Sequence, residues 1–432
     1  MLSIDLVRHQ PEVILRSMER RREDPAVVDE LARLDAQRRA LVAEVEVLRA
    51  EVNRNSKAVG ELMKAGDEDA AAGQRKAGRE VGDRIKRIEA AERDADAKLR
   101  ALLLTVPNIL ADDVPDGDDE TANVVVRQEG EPRSSESYDF PLKPHWELSE
   151  QLGITDLERG SKLAGRMFAV LGDAGARFSR ALIAWMLDMH RERHGYSERG
   201  VPYLVLRSVM EGSGNLPKFA DGLYHDDEDD LWLIPTAEVP LTSLHRDEIL
   251  APGTLPLRYM AHTPCFRREK AAAGTQVRGL KRVHQFDKVE MYQLVEPEQS
   301  AAALEEIVEH ASDVARGLGL PFRVLELCSG DVGFQSAKTY DVEVWSPASE
   351  EWLEVSSCST CTDFQARRAN IRFRREQQAR PEFVHTLNGS GLALPRVIIA
   401  LLETYQQPDG SVRLPDALVP YMGGQQVLAP AL

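Results

Sequence analysis

Cysteine is scarce in this chain. Four occur in 432 residues, Cys265, Cys328, Cys358 and Cys361, too few for a disulfide framework in a chain this long. A reducing cytoplasm is the expected location. No run of about 18 apolar residues occurs, so no membrane span is expected. The N-terminus, MLSIDLVRHQPEVILRS, has no basic region followed by an apolar one, so no signal peptide is expected either. Positive charge is in deficit: 54 Lys and Arg against 71 Asp and Glu leave a net charge of -17. That excludes indiscriminate attraction to nucleic acid, which needs positive potential, while allowing a local basic surface. Two phosphate-binding signatures are missing, G-x-x-x-x-G-K-[ST] and G-x-G-x-x-G after a strand. Any bound nucleotide must be held by other means. What is present, 43% hydrophobic and 29% charged residues, describes a globular chain long enough for two to three domains.

Residues 31–104 read as two long helices joined by a turn. Leu31, Leu34, Leu41, Val45, Leu48 and Val52 alternate in steps of three and four, with Arg38 interrupting the seam. Val81, Ile85, Ile88, Ala95, Leu99 and Leu102 repeat the pattern, interrupted by Glu92. Two such seams around one turn predict an antiparallel coiled-coil hairpin. Each helix of roughly 30 residues would be ~45 Å long. Between them lies KAGDEDAAAG, residues 64–73, glycine-bearing, acidic and without periodicity, which is expected to form the turn. The segment holds 16 Lys or Arg and 14 Asp or Glu, so it is +2 in a chain whose remainder is -19. Arg38, Arg39, Arg49, Arg54, Arg75, Arg79, Arg84 and Arg87 lie mostly off the seam. That fits a solvated helix face, or an arm lying along a phosphate backbone.

VPNILADDVPDGDDETANVVV, residues 106–126, reads as a linker or turn region. Beyond about residue 140 the texture is mixed. Helices are predicted over 175–196, 300–319 and 395–406. Strands are predicted at VPYLVL, LWLIPTAEVPL, LPLRYMAHTPCFRRE, RVHQFDKVEMYQLV, YDVEVWSP and EWLEVSSC. Strands follow one another without regular helix alternation. That favours an α+β fold with a mostly antiparallel sheet flanked by helices.

Within this acidic chain, residues 266–290 form a basic run that ends in an acid, Glu290. Alternate residues of a strand share a face, so Arg282, His284, Phe286, Lys288 and Glu290 are expected to point one way. Arginine, aromatic and carboxylate in a row could hold a phosphate, a flat base and an amine. Phe286 to Glu290 would span ~13 Å, the scale of a nucleotide. The same row fits the solvated outer face of an antiparallel sheet. Arg267 and Glu269 share a face of the preceding strand, with Arg268 on the opposite one. The loop between, KAAAGTQVRGL, has two glycines and small residues and could bend closely over a ligand. Cys358-Ser-Thr-Cys361 offers a single pair, where a structural zinc site needs four ligands. No zinc is predicted, and packing of both thiols is expected.

Taken together, these blocks resemble seryl-tRNA synthetase of the bacterial type, a class II aminoacyl-tRNA synthetase. They run in order over some 400 residues: VPNI with Pro115, Gly117, Asp119 and Glu120; KPHWEL; GARFSRALIAWML, similar to the class II dimer motif; GNLPKF; TAEVPL; PCFRRE with RGLKRVHQFDKVE, similar to the second motif; TYDVEVW; EVSSCSTCTDFQARR; and HTLNGSGLALPR, similar to the third. The resemblance implies a tRNA-binding domain with a helical arm over 1–108 and a catalytic domain over 109–432. It implies activation of L-serine by ATP and transfer to tRNA(Ser), with tRNA(Sec) as a further candidate acceptor, in a homodimer. The alternative is a serine-activating paralogue that loads a carrier protein or serves a biosynthetic or inhibitor-tolerance role.

The residue roles below are likewise what the resemblance implies. ATP would be bound by Arg267, Arg268, Glu269, Arg282, Val283, Phe286, Glu354, Val355, Ser356, Ser357 and Arg396. Catalysis would fall to Arg267, Arg396 and Glu269. Serine would be bound by Thr236, Ala237, Glu238, Arg267, Glu290, Asn388 and Ser390. Glu354 and Ser357 would hold Mg²⁺. Three positions depart from the family pattern: Arg268 where a small residue is usual, Pro395 where Gly commonly precedes the arginine, and Asn215 where Gln is common. Proline suits the first turn of a helix, so the helix bearing Arg396 can still start.

Overall fold

The computed structural model describes residues 1–269 and 278–430. The chain divides into two compact units, one spanning Leu2–Pro107 and one spanning Asn108–Leu432 together with Met1.

In the first unit, short helices Ile4–His9 and Pro11–Arg20 precede a hairpin of two long ones, α1 (Ala26–Ala65) and α2 (Glu68–Leu103). The seam is the contact surface. Leu31, Leu34, Val45 and Leu48 of α1 are buried, as are Ala95 and Leu99 of α2, and each buried leucine contributes ~1.5–3 kcal/mol. The two seam interruptions meet each other: Arg38 lies 3.9 Å from Glu92 and 2.6 Å from Asp96. The turn is far shorter than the ten residues expected. Gly66, at φ 80, closes α1 by donating to Met63 O. Asp67 then caps α2 by accepting from Ala70 N, with Glu68 and Asp69 in the first turn. Glycine tolerates the left-handed conformation, and acids favour a helix start. The helix therefore begins inside the acidic stretch that looked like loop.

The second unit is built on an eight-stranded sheet. Its strands are β1 (Val124–Glu129), β2 (Ser197–Glu198), β3 (Leu257–Phe266), β4 (Gln285–Val295), β5 (Phe322–Glu326), β6 (Lys338–Ser346), β7 (Glu351–Thr362) and β8 (His385–Ala393). Their spatial order is β1-β5-β6-β7-β8-β4-β3-β2. Every pairing is antiparallel except the short edge strand β2 on β3. Three helices, α3 (Asp173–His194), α4 (Ser300–Gly317) and α5 (Leu394–Tyr405), pack on one face over a continuous apolar core. Alternation sends Val342 and Val344 of β6 into that core, while Thr339, Asp341 and Glu343 line a cavity on the other face.

Two segments differ from the sequence reading. LWLIPTAEVPL is not one strand: Leu231–Leu233 is extended, and Glu238–Thr242 is a helical turn. Proline cannot donate to a ladder, so Pro235 ends the strand, and Thr236 Oγ1 accepts from Glu238 N at 3.2 Å to start the turn. The end of the predicted linker, Val124–Val126, belongs to edge strand β1, and all three valines are exposed. Strands β5 and β8 were not foreseen. Among the described residues, no helix is long and apolar enough to cross a membrane.

Candidate active site

The cavity on the open face of the sheet has a volume of about 1000 Å³, at the upper end of the range for small-molecule sites. Its floor is made by facing positions of β6, β7, β8 and β4, and its rim by the residues just after β3 and just before β4.

At one end Phe286 presents its ring, with the Arg267 guanidinium 5.2 Å from the ring centroid. Arg282 lies 3.2 Å from Glu269, whose φ of 43 places it in the left-handed region. Arg267, Glu269, Arg282, Val283 and Phe286 all line the cavity. The expected parity holds only from Gln285 onward, where β4 begins. Before it the backbone is irregular, so Arg282 and Val283 both face the cavity. His284 turns away, with its Nδ1 2.9 Å from Arg267 O and its ring against Phe168.

Glu354 and Ser357 are three residues apart, which in a regular strand puts them on opposite faces. Both line the cavity. The register of β7 against β6 explains it: Ser357 pairs with Asp341 and Ser356 with Val342, but Glu343 pairs with Glu354. Such an extra residue in one strand is a β-bulge, which re-aims side chains. Arg396 sits in the first turn of α5 beside Pro395, and its Nη1 donates to Glu354 O at 2.8 Å and lies 3.2 Å from Glu354 Oε2. Asp341, beneath them, has Oδ1 without a hydrogen-bond partner. Burial first, and the Glu354 charge second, raise its carboxyl well above the ordinary range. Among the described residues no three His, Cys, Asp or Glu side chains make a closed metal cage. Mg²⁺ does not need one: it takes one or two carboxylates, with phosphate oxygens and water completing the shell. The carboxylate of Glu354 and hydroxyl of Ser357, next to an orphaned acid oxygen, fit that donor chemistry.

The other end is a buried acid cluster. Glu290 is fully buried. Its carboxylate lies 2.5 Å from Lys288 Nζ and accepts from Thr236 Oγ1 at 3.2 Å and Asn388 Nδ2 at 3.4 Å. Pairing in the sheet sets Ser390 directly opposite Glu290. Glu238 accepts from Gln365 Nε2 at 2.6 Å, and burial, followed by repulsion from Glu290, pushes its carboxyl up to about 7. Thr236, Glu238, Lys288, Asn388 and Ser390 line the cavity, and Glu290 contacts three of them, Thr236, Lys288 and Asn388, from behind.

Four residues of the expected site do not line it: Glu290, which sits behind its partners Thr236, Lys288 and Asn388, and Arg268, Ala237 and Ser356. Arg268 stacks its guanidinium on Tyr224 at 5.1 Å, as its opposite parity anticipates. Ala237 is buried in a separate apolar cluster. Ser356 is buried and donates to Ser390 O at 2.7 Å, tying β7 to β8. Residues 270–277, and with them most of the loop read as a ligand cover, lie outside the described residues. Cys358 and Cys361 are both buried free thiols in β7. Asp341, Glu343 and Lys288 were not singled out from sequence as site residues, although the alternation in YDVEVW and in FDKVE carries the signal for all three.

Residues 219–405 match the family model described as tRNA synthetase class II core domain (G, H, P, S and T). Residues 1–110 match the one described as seryl-tRNA synthetase N-terminal domain. A serine–tRNA ligase of Thermomicrobium roseum is 55% identical over 426 residues, covering 99% of this chain and 94% of that protein. A serine–tRNA ligase of Roseiflexus sp. is 55% identical over 428 residues, with 99% of each chain covered. Among solved structures, seryl-tRNA synthetase from Pyrococcus horikoshii complexed with ATP superposes with a TM-score of 0.93 at 37% identity, covering 100% of both chains.

Proposed function

The chain belongs to the seryl-tRNA synthetase family, and on that premise we propose that its cavity joins ATP and L-serine as seryl-adenylate. The seryl group then passes to the 3′ end of tRNA(Ser), and tRNA(Sec) is a second acceptor. The observation that carries this reading is the content of one cavity: an aromatic ring with arginines at one end, and buried carboxylates with hydroxyl and amide donors at the other. Phe286 offers the adenine a stacking face, Glu269 an acceptor for its amino group, and Arg267, Arg282 and Arg396 charge for the phosphates. Glu354 and Ser357 would hold Mg²⁺, which when bound supplies further positive charge at the phosphates. Glu290, Thr236 and Glu238 take the serine ammonium, and Asn388 and Ser390 help order the pocket.

No protein nucleophile is required. The serine carboxylate attacks the α-phosphorus and pyrophosphate leaves opposite, so the residues act by positioning and by cancelling charge. Polar groups that meet the serine hydroxyl reject alanine more strongly than an apolar pocket could. The helical hairpin supplies the tRNA contact: Arg54, Arg75, Arg79 and Arg87 are exposed and none forms an ion pair with a described residue. A homodimer is part of the same reading. Because relatives named serine–tRNA ligase match over nearly the whole chain, the carrier-loading alternative is not taken further.

A pair of variants tests the two ends. Phe286→Ala is expected to raise the KM for ATP roughly tenfold, from a stacking contribution of ~1–3 kcal/mol, while the serine KM stays within about twofold. Glu290→Ala is expected to do the reverse. Pyrophosphate exchange kinetics read both, and equal effects of each variant on both substrates would contradict the division of the cavity.

A further inference from the structure

Lys288 is a cavity residue that the reading above leaves without a task. Its side chain is only 8% exposed, yet it carries an ammonium, and Glu290 is its one ion-pair partner among the described residues. Burying a lysine is costly, and Glu290 already has neutral donors in Thr236 and Asn388. The nearby Glu238 shows how a buried acid is held without a cation, through the Gln365 amide. The neighbours of Lys288 across the sheet, Thr263 on β3 and Ala393 on β8, offer it no countercharge.

One buried ammonium faces one buried carboxylate in the Lys288–Glu290 pair. A zwitterionic amino acid can exchange with that pair: its ammonium takes the place of Lys288 at Glu290, and its carboxylate needs a partner. Position along β4 supplies one. Phe286, Lys288 and Glu290 are alternate residues, each ~7 Å from the next, so Lys288 lies between the ring and the buried acid. With a base on Phe286 and an ammonium on Glu290, the reacting carboxylate belongs in that interval. Lys288 lines the cavity there.

We propose that Lys288 is a substrate-contacting residue: it yields Glu290 to the serine ammonium and takes the serine α-carboxylate in exchange, an inference that rests on the serine reading of this site. The ion pair with Glu290 is thus a placeholder. It keeps Glu290 compensated until substrate arrives, then orients the carboxylate for attack. Lys288 neither gives nor takes a proton. The carboxylate oxygen forms the bond to the α-phosphorus, and pyrophosphate leaves with the electron pair of the broken P–O bond.

The test compares L-serine with serinol, which keeps the ammonium and hydroxyl but has no carboxylate, by calorimetry on the full chain. Wild type is expected to bind serine at least tenfold more tightly than serinol. In Lys288→Met the serine Kd should rise ~10- to 100-fold, the range for a lost charged hydrogen bond. The serinol Kd should stay the same or fall, because nothing then competes for Glu290. Equal weakening of both ligands, or no change in either, overturns the role of Lys288 while leaving the serine site standing. Wild type that binds serinol as well as serine overturns it without any variant needing to fold. Wild type that binds neither overturns the serine reading and this proposal together.

Discussion

At the scale of single residues, the acid cluster sets a pH dependence. Glu238 titrates at about 7 in the folded chain against an ordinary 4.5. A raised carboxyl means that the folded state binds the proton more tightly than the unfolded one. Its stabilising contribution is therefore complete below pH 4.5 and is lost as pH rises through 7. The step corresponds to on the order of 3 kcal/mol. Glu238→Gln keeps the acceptor that Gln365 donates to and removes the titration. The variant should show a flatter urea midpoint between pH 5 and 8 than the wild type, and an unchanged slope would take Glu238 out of the account. The cause is local: burial of the group comes first, and the charge of Glu290 second.

At the scale of elements, the hairpin and the sheet show opposite relations between pattern and structure. In the hairpin, Arg38 and Glu92 break both seams and meet each other, a polar pair that can set register at a cost in stability. Arg38→Leu with Glu92→Leu should therefore raise protection of α1 and α2 amides in hydrogen exchange by ~1 kcal/mol, whereas Arg38→Leu alone should not. Lower protection in the double variant would mean that the pair stabilises the hairpin outright. These helices were legible because a period of 3.5 sustained over many turns has no competing reading. The extent of the turn was not, because Glu68–Gly73 holds two acids, three alanines and a glycine and so no large apolar residue to mark a seam, and only the Gly66-Asp67 cap marks where α1 stops. In the sheet, parity along β4 placed Phe286, Lys288 and Glu290 correctly. It failed at Val283 and His284, which precede the strand: Val283 faces the cavity and His284 turns away from it. It could not place Glu354 beside Ser357 either, since a bulge depends on the register of two strands. The Lys288–Glu290 contact was equally out of reach, because sequence shows which residues share a face but not which of them touch.

At the scale of the whole molecule, the two units divide the labour proposed here. The unit Asn108–Leu432 contains every residue assigned to serine and ATP. The hairpin carries the exposed arginines assigned to tRNA in a chain that is otherwise strongly acidic. Removing residues 31–104 should leave serine-dependent pyrophosphate exchange within a few-fold of wild type, while charging of tRNA is lost. Equal loss of both activities in a folded protein would defeat the division. The charge distribution makes a second reading of the same experiment available. Transfer by the intact chain should weaken steeply with salt, as phosphate contacts do, while amino-acid activation should respond far less.

The central claim is that one cavity selects serine and activates it with ATP. Its most direct test is pyrophosphate exchange by the wild-type chain with each of the twenty amino acids in turn. The account predicts exchange with serine and background rates with the rest, alanine and threonine included. Exchange driven by a different amino acid, or none with serine, would contradict it.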